Sequence, residues 1–467
     1  MSRYSLLPAQ EAAERALEAP AGHQRIAIVQ EMSEIELRFA NNTVSTNGRR
    51  RDRRTTVVTF RPVPGGTAVG VASSAAGTAA ELAQLVEESE AGAAGAAPAE
   101  DAFPLVEDGP PGGEPWEEPP RQAEVGSVHH VAGALGPAFG RAQAEGEVLA
   151  GFAAQHLHTT YLATSTGLRL RHTQPAAKLE MVGRSPQGDR SAWVGLGGRD
   201  LADLDVAGAE DTLRGRLAWA ERRLDLPAGR YETLLPPAAV ADLMIFMSAA
   251  MGGRDAEDGR SVFSAPGGRT RVGEALSPTP FTLRGDPAEP GLACAPFLVA
   301  SVSGRDVSVF DNGLPLEPTS WLSEGRLQRL RYHRAGAARS GVPPAPPIGN
   351  LLLEVPGATS SLEEMVRSTQ RALLLTCLWY IRPVDPATLL LTGLTRDGVY
   401  LVEDGEVVGA VNNFRFNESP VDLLARASEA GRTQACLARE ANEWLSRTAM
   451  PALRIPDFNM STVSPAS

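Results

Sequence analysis

The residues able to do chemistry in this 467-residue chain are few and scattered. Its seven histidines are His23, His129, His130, His156, His158, His172 and His333, and none is followed by Glu. A zinc hydrolase helix sets two imidazoles on one face with a carboxylate beside them, so that the metal can activate water; the chain has no such pattern. His156-Leu157-His158 would place two imidazoles on one side of a strand. No Cys or clustered carboxylate lies close in sequence to complete a metal site there, which favours structural or surface histidines. The adjacent His129 and His130 would face opposite ways on a strand. Cys294, Cys377 and Cys436 are odd in number and form no C-x-x-C, which argues against a disulfide framework and suits a reducing compartment. Cys377 lies in the apolar run 372–381 and reads as a buried small hydrophobe. A Cys-His nucleophile would need a base that the sequence does not place.

The segment Thr388 to Pro420 is more informative. Apolar runs flank Thr395-Arg396-Asp397-Gly398, a second Asp-Gly lies at Asp404-Gly405, and an amide-rich stretch from Asn412 to Ser419 follows. Asp-Gly favours tight hairpins, so strand, turn, strand, turn, strand is expected. Arg396 could grip a carboxylate with two prongs. Asn412, Asn413, Arg415 and Asn417 offer hydrogen-bond donors and acceptors. The alternatives are a turn pinned by Arg396 and Asp397, and amides serving a loop. A basic run, Arg49-Arg50-Arg51-Asp52-Arg53-Arg54, is broken by Asp52 and lacks aromatics; it reads as hairpin-tip or partner-facing arginines.

The elements that position these residues suggest an α+β fold. An N-terminal mixed α/β region has a sheet with flanking helices, and a C-terminal β-rich domain has mostly antiparallel strands. Helices are expected at 8–18, 78–90, 138–155, 206–224, Pro236 to Met251 and 420–445, with a short one from Glu363 to Arg371. Strands are expected at Arg25 to Gln30, Ile35 to Phe39, Thr55 to Phe60, 157–173, Ala177 to Val182, Ser191 to Val194 and Tyr231 to Leu235. Asn41-Asn42 and Asn47-Gly48 punctuate the first of these. The organisation expected is 1–90, a Pro/Gly/Ala/Glu-rich connection at 91–125, a second α/β subdomain at 126–225, and the β-rich domain at 226–467. A net charge of −12 disfavours a general nucleic-acid or anionic-membrane surface. The longest apolar run is far short of a membrane span, and no signal peptide is visible, so a cytoplasmic protein is expected.

The 388–420 segment resembles the C-terminal domain of the TldD/PmbA family, whose members pair as TldD and TldE (PmbA) subunits of a zinc peptidase. The resemblance extends to Tyr161 through Gly167, to Gly259-Arg260-Ser261-Val262-Phe263, loosely to Asp311 through Pro315, and to Pro456 through Met460. It implies a helical H-E-x-x-x-H in the zinc-bearing TldD subunit. In this chain the corresponding helix is Pro236 to Met251, where Met residues and a lone Asp242 are poor zinc donors. The resemblance further implies a late cysteine as third ligand, but Cys436 lies in a stretch that reads as helix. The chain therefore resembles the TldE (PmbA) type: no catalytic or metal residues of its own, zinc and general base in a TldD-type partner, and Arg396, Asn412, Asn413, Arg415 and Asn417 as substrate-binding residues. The substrate expected is an unfolded peptide or a peptide-derived natural product. A homodimeric peptide-binding scaffold of the same fold, or an independent hydrolase using Cys377 or a hidden metal site, are the competing expectations.

Overall fold

A computed structural model describes residues 6–18 and 22–464. The N-terminal half is built on one six-stranded antiparallel sheet. Its strands are β1 (Gln24–Ala40), β2 (Thr43–Val63), β3 (Gly66–Ser74), β4 (Val148–Thr164), β5 (Arg169–Arg184) and β6 (Ser191–Gly198), in the order β3-β2-β1-β4-β5-β6. Successive side chains alternate between its faces. On β1 and β4 the odd-numbered Ala27, Val29, Ile35, Leu37, Leu149, Ala153, Leu157 and Tyr161 pack under helices α1 (Ala9–Ala16), α2 (Ala79–Gly95), α3 (Ser127–Glu145) and α4 (Val206–Trp219). The even face is apolar at one end only, where Ile26, Ile28, Val58 and Leu162 meet Leu105, Phe297 and Phe310.

A larger, mostly antiparallel sheet of ten strands dominates the C-terminal half. It contains β7 (Arg223–Leu224), β8 (Gly229–Leu235), β9 (Arg371–Leu375), β10 (Leu378–Asp385), β11 (Leu390–Thr395), β12 (Val399–Glu403), β13 (Glu406–Val411), β14 (Phe414–Glu418) and β15 (Leu453–Val463). The order is β10-β11-β14-β15-β8-β9-β12-β13-β7, with Glu429–Ala430 pairing off β15. A second six-stranded sheet joins Arg326–Leu327, Thr319–Ser323, Thr282–Gly285 and Leu351–Glu354 to Thr448–Met450 and Gln434–Cys436. Helix α5 (Pro237–Ala249) lies in the core shared by these sheets, and every residue from Ala239 to Met247 is buried. The architecture is α+β, as expected.

Several expected elements differ. α3 starts earlier and stops at Gly146, which takes φ 73° and donates to the carbonyl of Ala142. That left-handed C-terminal turn is a glycine position, and it frees residues from Val148 onward for the long strand β4. The 420–445 helix is only Pro420–Arg426. Beyond it, Glu429–Ala430 pairs with β15 and Gln434–Cys436 with Thr448–Met450, so sheet pairing overrides helix propensity. Cys436 is thus on a strand, and 437–447 is a long loop joining two adjacent strands. His129 and His130 belong to α3 rather than to a strand. The basic run is no hairpin tip: the tip is Asn41-Asn42, and Arg49 to Arg54 lie inside β2, where 43–52 are exposed. The 91–125 stretch is pinned where Trp116 packs edge-on against Tyr161 and Glu114 pairs with Arg171.

Candidate functional site

The Arg396–Gly398 turn is not a hairpin. β11 pairs with β10 and β14, whereas β12 pairs with β9 and β13, so the chain crosses from one part of the sheet to another at this point. The crossing needs Asp397 at φ 54° and Gly398 at φ 153°, and a Cβ on Gly398 would stand 1.9 Å from Thr376 Oγ1. Asp404-Gly405 does close a hairpin, with Glu403 opposite Glu406.

The first turn instead builds the seam between the two halves. Asp397 accepts from Ser191 of β6 and, at 2.9 Å, from Arg439 Nη2 of the 437–447 loop. The Arg439 guanidinium lies over the rings of Trp193 (5.3 Å) and Trp379 (4.7 Å), and its Nη1 also touches the Cys377 sulfur. A planar cation between two indoles, with a carboxylate at its edge, is a strong fixed contact. Burial pushes the Cys377 thiol up to about 12, so it rests as a neutral thiol, not a nucleophile.

The same loop is held from the other side by α5. Asp242 Oδ1 accepts the main-chain N–H groups of Glu440 and Ala441, both at 2.9 Å, and Oδ2 accepts that of Arg439 at 3.2 Å. Burial pushes its carboxyl up to about 7, against the pull of those three donors. Trp444 closes edge-on over Phe246 at 5.1 Å. Zinc does not fit here: α5 offers thioethers and one carboxylate already committed to the main chain. Cys436 directs its sulfur toward the Pro237 carbonyl and Thr448 Oγ1, each at 3.5 Å. Among the described residues no three His, Cys, Asp or Glu side chains stand together in a metal-holding group.

The five candidate substrate residues fall in three places. Arg415 and Asn417 alternate along β14 with the buried Phe414, Phe416 and Glu418, and so share its outer face. Arg415 is exposed and reaches Thr392 Oγ1 at 3.3 Å. Asn412 and Asn413 sit between β13 and β14. Asn412 Oδ1 accepts from Leu226 N at 2.7 Å, tying β14 to the β7 edge, while its buried Nδ2 has no partner among the described residues. Asn413 borders a small depression with Asp397, Gly398 and Arg190. Arg396 is partly exposed, 3.7 Å from the Asp397 carboxylate.

The other open feature involves two histidines that the sequence favoured as structural or surface groups. His156 and His158 project from the even face of β4 into a cleft of about 540 Å³, whose far wall is residues 442–447. Their rings stand 6.4 Å apart, and burial lowers the pKa of both. Lys178, the chain's only lysine, bridges this cleft to Asn442 at 3.2 Å and to Glu443. Asn442, Arg439 and Arg447 were missed, because nothing in their sequence neighbourhood marks a loop that returns to the N-terminal sheet.

Two α+β halves, joined at the 437–447 loop and where Phe297 and Phe310 meet the N-terminal sheet, and flanking an open cleft, define the class. The PmbA/TldA metallopeptidase C-terminal domain model matches residues 228–462, just over half the chain, and the protein belongs to the PmbA/TldD metallopeptidase family. The fold is similar to TldE from Thermococcus kodakarensis (TM-score 0.76, 19% identity, 96% of this chain and 98% of that one). It is also similar to proteins described as proposed modulators of DNA gyrase. That from Thermotoga maritima gives TM-score 0.73, 16% identity and 96% and 99% coverage; that from Bacteroides thetaiotaomicron gives 0.75, 15%, and 97% and 98%. No curated protein matches the chain. No helix among the described residues is long and apolar enough to cross a membrane.

Proposed function

We propose that this chain is the non-zinc-binding, TldE-type subunit of a two-chain metallopeptidase acting on amide bonds of unfolded peptides or peptide-derived natural products. A TldD-type mate supplies the zinc and the general base, and this chain completes the chamber and holds extended substrate in the cytoplasm. One observation carries the reading: α5, where the family resemblance puts the metal helix, is enclosed, and Asp242 serves as an anchor for the 437–447 loop. The likeness to a TldE structure supports the subunit type. Arg396, Asn412, Asn413, Arg415 and Asn417 are the proposed substrate contacts, using main-chain hydrogen bonding that depends little on peptide sequence.

The test is zinc content and peptide cleavage by the purified chain alone and after co-expression with a TldD-type subunit. Neither zinc nor cleavage alone, with both in the complex, is expected. Stoichiometric zinc or cleavage by the chain alone overturns the proposal. A stable homodimer that holds peptide and captures no mate would favour a non-catalytic scaffold instead.

A further inference from the structure

The two histidines of the cleft have different surroundings. His156 lies across from Glu34 on β1 and Ala176 on β5. The charges acting on it are Glu34, Glu36 and Glu443, which favour its protonation, and Lys178, which opposes it. Two of these carboxylates are already paired, Glu36 with Arg38 and Glu443 with Lys178. His158 lies across from Met32 and Gln174, and the charged groups acting on it are His156 and Arg447, both cationic when protonated. His172 shares this face of β5, bonded to Gln174 at 3.2 Å, with Glu114 3.8 Å away. Toward β2 the nearest charged groups are Arg53, Arg54 and Asp52, the last paired with Arg50 at 2.8 Å.

Arg447 is the unusual member. It is half-buried, and burial lowers its pKa. Among the described residues no carboxylate lies within ion-pair distance, and its side chain makes one hydrogen bond, from Nη2 to the Pro175 carbonyl at 3.0 Å. A guanidinium has five N–H donors in a fixed fork shaped for a carboxylate, and a desolvated one without an anion is costly. Past Met32 and His158 the cleft opens into a second depression of about 390 Å³ lined by Arg54, Ser73 and Ser74, room for a chain extending across the sheet.

We propose that His158 and Arg447 form a carboxylate-binding corner that anchors one end or one acidic side chain of an extended peptide. The inference rests on the peptide-handling reading for its ligand class, and it adds a site on the N-terminal sheet that the reading does not use. The guanidinium fork takes the carboxylate oxygens, and the imidazole beside it gains a proton as the anion arrives. Partial desolvation and the His156 and Arg447 charges lower the His158 pKa, so an arriving carboxylate raises it, and binding takes up a proton and tightens as pH falls.

The experiment is an anisotropy titration of the full chain, without a mate, using hexapeptides carrying an uncharged N-terminal dye. One has neutral side chains and a free C-terminal carboxylate, the second is its amide, and the third is the amide with one internal Glu. At least one carboxylate peptide should bind about tenfold or more tighter than the neutral amide. Which one does so separates a terminal from a side-chain carboxylate. The preference should fade as pH rises from about 5.5 to about 8. Arg447→Gln should abolish it and Arg447→Lys restore part of it; the double variant His156→Gln/His158→Gln should flatten the pH dependence. Equal binding of all three peptides, or a preference that survives Arg447→Gln in protein folded by circular dichroism, overturns the proposal. Because no mate is present, this result stands apart from the zinc and cleavage test: either can fail while the other holds.

Discussion

The 437–447 loop faces two ionisable sites, one buried and one at an open cleft, and they are built on opposite plans. At its start, Asp242 receives three main-chain N–H groups, and Arg439 is enclosed by Asp397, Cys377 and two indoles. At its end, Arg447 and His158 face an open cleft with most of their hydrogen-bonding capacity unused. Buried polar groups normally find partners, so a satisfied cluster points to architecture and an unsatisfied one beside space points to a ligand. The contrast predicts that substitutions at the first site will cost stability, and those at the second, binding.

The largest effect is expected at Asp242. Asp242→Ala leaves three loop N–H groups in a buried site without an acceptor and should lower stability by about 3 kcal/mol. A pH dependence accompanies it. With its folded carboxyl near 7 against an ordinary 3.8, the native state holds this proton more tightly than the unfolded chain. That contribution is complete below about pH 4 and is lost as pH rises through about 7. Urea unfolding of both proteins between pH 4.5 and 7.5 checks this: the wild type should lose part of its stability across that window, and the variant should lack that loss. Equal stability of the two at every pH would remove Asp242 as the loop's anchor.

Arg439→Ala should follow at about 2 kcal/mol, because it strips the ion pair from Asp397 and the cation from between Trp193 and Trp379. Arg439→Lys should recover little, since an ammonium cannot fill a planar slot between two rings. Denaturant midpoints measure both. A lysine variant as stable as wild type would mean that charge alone holds the seam and that the stacking adds nothing.

The sequence revealed these two sites unequally, for physical reasons. Elements specified locally were legible. α2 has Thr78 and Glu81 in a reciprocal cap, α5 begins at prolines, and β4 displays its paired imidazoles. Two glycine signals were misjudged. The expected 138–155 helix runs through Gly146, which ends α3, and Gly398 serves a crossing where Asp-Gly suggested a hairpin, because the same left-handed geometry suits either and strand pairing decides. The seam was not legible at all. Ser191, Asp242, Asp397 and Arg439 are far apart in sequence, and their meeting depends on Cys436 pairing with Thr448, which turns 437–447 into a loop where periodicity suggested helix. His156 and His158 could be picked out by spacing, but Arg447, which gives their cleft its charge, could not.

The smallest stability effects, and a separate test of where substrate runs, belong to the outer face of β14 and the Arg396 turn. Arg415 is exposed and makes one long contact to Thr392, and Arg396 lies partly exposed beside Asp397. Truncating either to Ala should change stability by no more than about 0.5 kcal/mol, as for most surface substitutions. If residues 396–417 line a chamber shared with the mate, each variant should nonetheless slow peptide turnover by the assembled pair. Measuring turnover alongside denaturant midpoints separates the cases. Slower turnover at unchanged stability would place the substrate along β14 or the Arg396 turn, according to which variant is slowed. Unchanged turnover in both variants would take β14 and the Arg396 turn out of the substrate path.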